Sequence, residues 1–209
     1  MFLLSPRLSF RHLQPSDLDS LYELYRDPVV QRYIPEGVLT RAQTQQEVEW
    51  RRNGWSDHPT LGLWATIHKA SQRFIGRCGL LPWQIEGRAE IEVAFMPAPA
   101  YWGQGLATEA AAAIAAHAFR TLKLDRLICL VTPGNDVSAR VATKIGMHFE
   151  RDIVDEHGPA WVYVMASHWL ATSKPVAHPI RIRSRCRRSQ FCVGWPQARS
   201  RRTHGKASP

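Results

Sequence analysis

The chain has 209 residues, 44% apolar and 22% charged, which suits one globular domain with a core of its own. No apolar run approaches the ~20 residues of a membrane helix, and "MFLLSPRLSFR" lacks the basic leader and small-residue cleavage site of a secretory signal. The net charge of +9 is concentrated at one end. Ten of the 27 basic side chains, and no acidic one, lie between Ala171 and Pro209, so residues 1–170 carry a net charge of −1.

In chain order, "RLSFRHL" alternates as a strand does, and "PSDLDSLYELYRD" repeats apolar residues at helical spacing, with Asp17 and Asp19 in its first turn, where the helix dipole favours them. "TRAQTQQEVEWRRNGW" predicts a second helix capped by Thr40. "LGLWATIHK", "RFIGRCGLLPWQ" and "AEIEVAFM" are strand-like runs separated by turn residues, the pattern of an antiparallel meander. "TEAAAAIAAHAFRTL" has high intrinsic helix propensity. "DRLICLVT" then reads as a fifth, buried strand, "NDVSARVATKIG" as a short helix stopped by Gly146, and "AWVYVMASHWL" as the last strand. Helices alternating with a mostly antiparallel sheet predict a single α/β (α+β) domain over residues 1–170. Residues 171–209 are rich in Pro, Ser and Arg without apolar periodicity, and predict a basic, disordered tail. Cys78 and Cys129 fall in apolar runs and predict small buried side chains. With no CxxC pair anywhere, reduced thiols and a cytoplasmic setting are expected. The nine histidines show no ligand spacing, so no metal is implied.

The joint between the fourth strand and the alanine-rich helix, "PAPAYWGQGLATEA", carries the chemistry. Successive amide N–H groups entering a helix, with no side chain in the way, form an anion cradle, and glycine permits the tight path and the close approach of a phosphate. A P-loop would need a lysine that is absent, and a dinucleotide fingerprint would need a small residue where Thr108 stands.

The loop resembles that of the GNAT acetyltransferases, whose pattern Gln/Arg-x-x-Gly-x-Gly/Ala would fall on Trp102-Gly103-Gln104-Gly105-Leu106-Ala107, with Trp102 departing at the first position. "AYWGQGLATEA" in full is similar to the RimJ/RimL-like branch. "PRLSFRHLQPSDLDSLYELYRDPVVQRYI", "FIGRCGL" and "NDVSARVATKIGMHFE" match that branch in the same order, over roughly residues 5–170. The resemblance implies a mixed sheet whose fourth and fifth strands splay, with acetyl-CoA in the gap. Its pantetheine arm would pair with main chain at Phe95 and Met96, and its pyrophosphate would lie on the amides of Gly103, Gln104, Gly105, Leu106, Ala107 and Thr108. Pro97, which has no N–H, would then have to face away from the ligand.

The implied reaction is attack of a neutral amine on a thioester, which needs a base, an oxyanion donor and a proton for the departing thiolate. Glu92 is the candidate base, with Glu90 the alternative. By resemblance Asn135 holds the pantetheine arm and Ser138 donates the proton, although both also suit an ordinary helix N-cap. A tyrosine acid, common elsewhere in the family, is replaced by Ala142. Lys144 would either approach the CoA phosphates or serve as a helix C-terminal cation. The expected acceptor is a protein N-terminal α-amine. The alternatives are a small amine, such as an antibiotic or polyamine, or weak RNA or ribosome contact through the tail. Both a monomer and a dimer remain open.

Overall fold

The computed structural model describes residues 3–51, 60–155 and 157–167. The end of the second predicted helix, the end of the last predicted strand and the whole predicted tail lie outside the described residues. One sheet of eight strands runs through the described part in the order β1-β2-β3-β4-β5-β6-β8-β7. The strands are β1 (Leu3–Leu4), β2 (Leu8–His12), β3 (Gly62–His68), β4 (Arg73–Ile85), β5 (Arg88–Pro97), β6 (Arg126–Val131), β7 (His148–Asp155) and β8 (Gly158–Ala166). Strands β3 to β5 form the expected antiparallel meander, and β2 and β1 extend it, also antiparallel. The β4–β5 turn is Glu86–Gly87, both at positive φ (51° and 81°), the twist that suits a two-residue hairpin.

Helices α1 (Leu18–Tyr25), α2 (Pro28–Gln31) and α3 (Arg41–Arg51) precede β3; α4 (Leu106–Arg120) and α5 (Asp136–Lys144) flank β6. Thr40 caps α3 as expected: its hydroxyl accepts from the Gln43 N–H at 3.3 Å, and its own N–H donates to Gln43 Oε1 at 2.8 Å, a reciprocal capping box. Asp17 does more than sit in a helix dipole: its carboxylate binds the Arg11 guanidinium through both oxygens, at 2.6 and 2.7 Å. Among the described residues, no helix is long and apolar enough to cross a membrane.

The main core lies between the sheet and α4, where Phe10, Trp64, Leu80 and Val93 meet Leu106, Ala111, Ile114 and Ala118. Small alanines let α4 approach the sheet closely, and α5 joins the same layer through Val141, Ala142 and Ile145. On the opposite face α1 and α3 bury Leu21, Leu24, Tyr25 and Val48 against Ala65, Ile67 and Met96. Cys78 and Cys129 are buried free thiols, and burial pushes the Cys78 thiol up to about 12, so it is inert at neutral pH.

Three elements depart from the sequence expectation, the first being the two-residue strand β1, which pairs with β2. α2 is a single turn, started by Asp27, whose side chain accepts from the Val29 N–H, with Pro28 at the first helical position. β7 was not anticipated: "HFERDIVD" pairs with β8 at the sheet edge and is mostly exposed, so it shows no clean apolar alternation.

Candidate active site

β5 and β6 run parallel but meet at one position, Glu92 opposite Ile128, and beyond it they diverge. The Glu92 carboxylate occupies the fork. Its Oε2 accepts from Trp83 Nε1 at 2.7 Å and its Oε1 from the Leu130 N–H at 3.3 Å, an amide that a continued ladder would spend on β5 main chain. Glu92 is 9% exposed, and burial pushes its carboxyl above the usual range, against the opposing pull of Trp83, the Leu130 amide and Arg77. A cavity of about 260 Å³ opens beside it, lined by Tyr25, Tyr33, Arg77, Trp83 and Ser138 among others.

The gap edge of β5 can be read from one bond. The Ala98 N–H donates to Ile75 O at 2.7 Å, so the even-numbered main-chain groups of β5 face β4 and the odd-numbered ones, Phe95 among them, face the gap. Phe95 therefore offers main chain to a ligand, whereas Met96 is paired toward β4 and buries its side chain against α1. The expectation that Pro97 faces away from the gap fails on the same alternation. Its nitrogen lies on the gap edge, and its carbonyl accepts from Trp102 Nε1 at 2.7 Å. The tryptophan that departs from the family pattern thus ties the loop back to the strand.

In that loop Gly103 and Gly105 have φ of 73° and 75°, a left-handed backbone that other residues adopt only with strain. Gly105 is the N-cap of α4 and no side chain caps the helix, so the first-turn amides of Leu106, Ala107 and Thr108 point outward. A Cβ at Gly103 would meet nothing within 4 Å, and one at Gly105 only the Arg7 guanidinium at 3.7 Å. The cradle is therefore open, and its uncapped donors suit a diphosphate. Leu106 is plugged into the core and contributes its amide alone. Gln104 braces the loop: its side chain donates to Ala100 O at 3.0 Å, and its carbonyl accepts from Arg7 Nη1 at 3.0 Å. Glu109, in the first turn of α4, accepts from the Ser5 hydroxyl, the Arg7 N–H and Arg7 Nε at 2.6–2.7 Å. These contacts clamp the N-terminal strand to the loop.

Asn135 caps α5, its Oδ1 accepting from the Ser138 N–H at 3.2 Å, and both residues line the cavity. Ala142 is fully buried, leaving no room for a tyrosine. Lys144 is exposed on the last turn of α5 and does not line the cavity. Glu90 is not an alternative to Glu92. Arg126 and Arg88 bind it at 3.0 and 3.3 Å, and Arg126 also holds Glu150, so Glu90 is a buried structural anion away from the cavity.

Sequence reasoning missed the far wall of the cavity. The Tyr25 hydroxyl donates to Glu47 at 2.9 Å and Arg51 Nε donates to the same oxygen at 2.7 Å. Burial drives the Tyr25 phenol well above its ordinary range, so it remains a donor. Arg77 stacks over the Tyr25 ring, 5.4 Å from its centroid. Of these contacts only Glu47–Arg51 leaves a local spacing signal, as an i,i+4 pair on α3. Among the described residues no cluster of His, Cys, Asp and Glu is arranged to hold a metal ion.

A forked mixed sheet, a glycine-bent helix start below the fork and a buried carboxylate at its apex define an acyl-transfer scaffold. The chain belongs to the GNAT acetyltransferases: the family model described as "Acetyltransferase (GNAT) domain" matches residues 7–148. It is an acetyl-CoA-dependent N-acetyltransferase. It is 34% identical over 167 residues to the uncharacterized protein YkkB of Bacillus subtilis, an alignment covering 79% of this chain and 96% of that one. It is also 30% identical to the uncharacterized N-acetyltransferase YnaD of the same organism, covering 72% and 84%. Among solved structures, a GNAT-family acetyltransferase from Bacillus anthracis superposes with a TM-score of 0.70 at 27% identity, covering 80% of this chain and 99% of that one.

Proposed function

We propose that the protein acetylates a primary amine presented in the cavity beside Glu92, with Glu92 as the general base. The observation that carries this reading is the carboxylate at the fork: buried, raised in pKa, and held by Trp83 and the Leu130 amide with the cavity before it. When bound, acetyl-CoA supplies the acetyl group as an activated thioester. The Phe95 main chain would pair with the pantetheine arm, and the amides at Gly103–Thr108 would hold the pyrophosphate. Asn135, whose Oδ1 is engaged with Ser138, keeps its amide NH₂ for the same arm. Ser138, half-buried on the cavity wall, would return a proton to the departing thiolate.

An α-amine titrates near 8 and needs less help from a base than a lysine amine, so a single buried carboxylate suits it, which supports the Rim-like reading, a polypeptide N-terminus as acceptor. A cavity of about 260 Å³ suits the amine-bearing end of such a partner, and the same end of a small molecule is the second reading.

The test is Glu92→Gln. It should lower kcat by about 10²–10⁴-fold while leaving acetyl-CoA affinity nearly intact, because the carboxylate acts in the transition state. A loss below about threefold would return Glu92 to a structural role at the fork.

A further inference from the structure

The cavity holds a cation that the acetyl-transfer reading leaves unused. Arg77 rises from β4 opposite Met96, lines the cavity, and lays its guanidinium face over Tyr25. Its Nε is buried with no hydrogen-bond partner, and among the described residues no carboxylate lies in ion-pair range of it. Glu47, Glu36 and Glu92 act on it only through space, and Glu47 already serves Tyr25 and Arg51. A buried donor without a partner is costly and rare in folded proteins, which marks it as a place where something binds. Stacking engages only the face of a guanidinium. The unpartnered Nε lies on the in-plane edge, and that edge matches a carboxylate.

We propose that the acceptor is a primary amine that also carries a carboxylate, with the amine at Glu92 and the carboxylate on Arg77; this rests on the acetyl-transfer reading above. Glu92 lies opposite Leu81, and Arg77 is four residues from Leu81 on the same strand. The two side chains therefore start about 13 Å apart along the sheet and converge on one cavity. Two groups that reach one cavity from separate positions on the sheet suit an amine separated from its carboxylate by several bonds. Two sources share this chemistry: the side-chain amine of a free diamino acid, and a peptide N-terminus followed by an acidic residue. A polyamine lacks the second group.

The experiment compares matched pairs that differ only in the carboxylate: lysine against cadaverine, and Ala-Asp-Ala-amide against Ala-Asn-Ala-amide. In the wild type kcat/KM should favour the carboxylate member of at least one pair by about tenfold or more, and the pair that responds identifies the source. Arg77→Gln should bring that ratio close to one while the acetyl-CoA thermal shift persists. Arg77→Lys, which keeps the charge but loses the fork and disturbs packing least, should reduce the ratio in part. Binding of Nε-acetyl-lysine against N-acetylcadaverine, measured by thermal shift in the Glu92→Gln background, separates this inference from the base assignment, because the preference should survive there whatever the role of Glu92. Absence of discrimination in the wild type for both pairs, or a ratio unchanged in both Arg77 variants, would overturn it.

Discussion

Replacing Gly105 with alanine separates what the loop does for the fold from what it does for the ligand. At φ of 75° the new Cβ imposes left-handed strain worth about 1–2 kcal/mol. For a domain of this size that lowers Tm by about 2–8 °C. The Cβ meets only the flexible Arg7 guanidinium at 3.7 Å, so no packing penalty adds to the strain. It projects, however, into the open cradle, where it would hold a phosphate off the helix amides. Loss of one charge-assisted hydrogen bond costs about 1.5–3 kcal/mol, a rise in acetyl-CoA Kd of about 10- to 150-fold. Gly87 provides the control. Its φ is 81°, a Cβ there meets nothing within 4 Å, and it lies in the β4–β5 turn. Gly87→Ala should therefore lose a similar amount of stability and no cofactor affinity. Calorimetric titration with acetyl-CoA and thermal melts of the three proteins decide the matter. Equal Kd values for the two alanine variants would refute the cradle.

Trp83→Phe removes the indole donor that holds the Glu92 pKa down, so that pKa should rise further. Because the base works when deprotonated, activity is lost as pH falls through the Glu92 pKa, and the acid limb of the kcat/KM profile should move to higher pH in this variant; an unmoved limb would detach Glu92 from the profile. Deleting residues 171–209 should leave the melting temperature and the acetyl-CoA thermal shift unchanged, since β8 closes the described sheet at Ala166 and the Ser167 N–H is bound by Asp125 O. The same deletion takes the formal charge from +9 to −1 and should weaken RNA binding and flatten its salt dependence, read in a salt-series binding assay.

The features that could be read from sequence are those encoded locally. The meander shows itself through strand-like runs separated by turn residues, α4 through its alanines, and the phosphate loop through two glycines placed between a strand and a helix. Glu92 and Glu90 are different: both lie on one strand at the same period, and nothing nearby separates them. Arg126, 36 residues away from Glu90, decides which is neutralised, and Trp83, across the hairpin, decides which is held at the fork. Arg77 is likewise invisible as a site residue. In sequence it is one cation inside "FIGRCGL", and only its position against Tyr25, brought by α1 to the same face, exposes its free edge. The Arg7–Glu109 clamp spans 102 residues and has no spacing signature at all. β7 escaped because an edge strand exposed on most of its length carries little of the alternation on which strand reading depends.

The strand order also bears on how the chain is made. Strands β1 to β5 each pair with their neighbour in sequence, so the five-stranded meander and helices α1 to α3 are complete once residue 97 has been synthesised. At that point one face of the sheet is covered and the other, carrying Phe10, Trp64, Leu80 and Val93, is bare until α4 emerges. The nascent chain thus passes through a half-dressed stage whose apolar face is open to chaperones or to another nascent copy. The alanine helix ends that exposure, and because it forms from local contacts it can fold as soon as it leaves the ribosome. A helix of such strong intrinsic propensity, placed directly after the last meander strand, covers that face as early as the chain order allows.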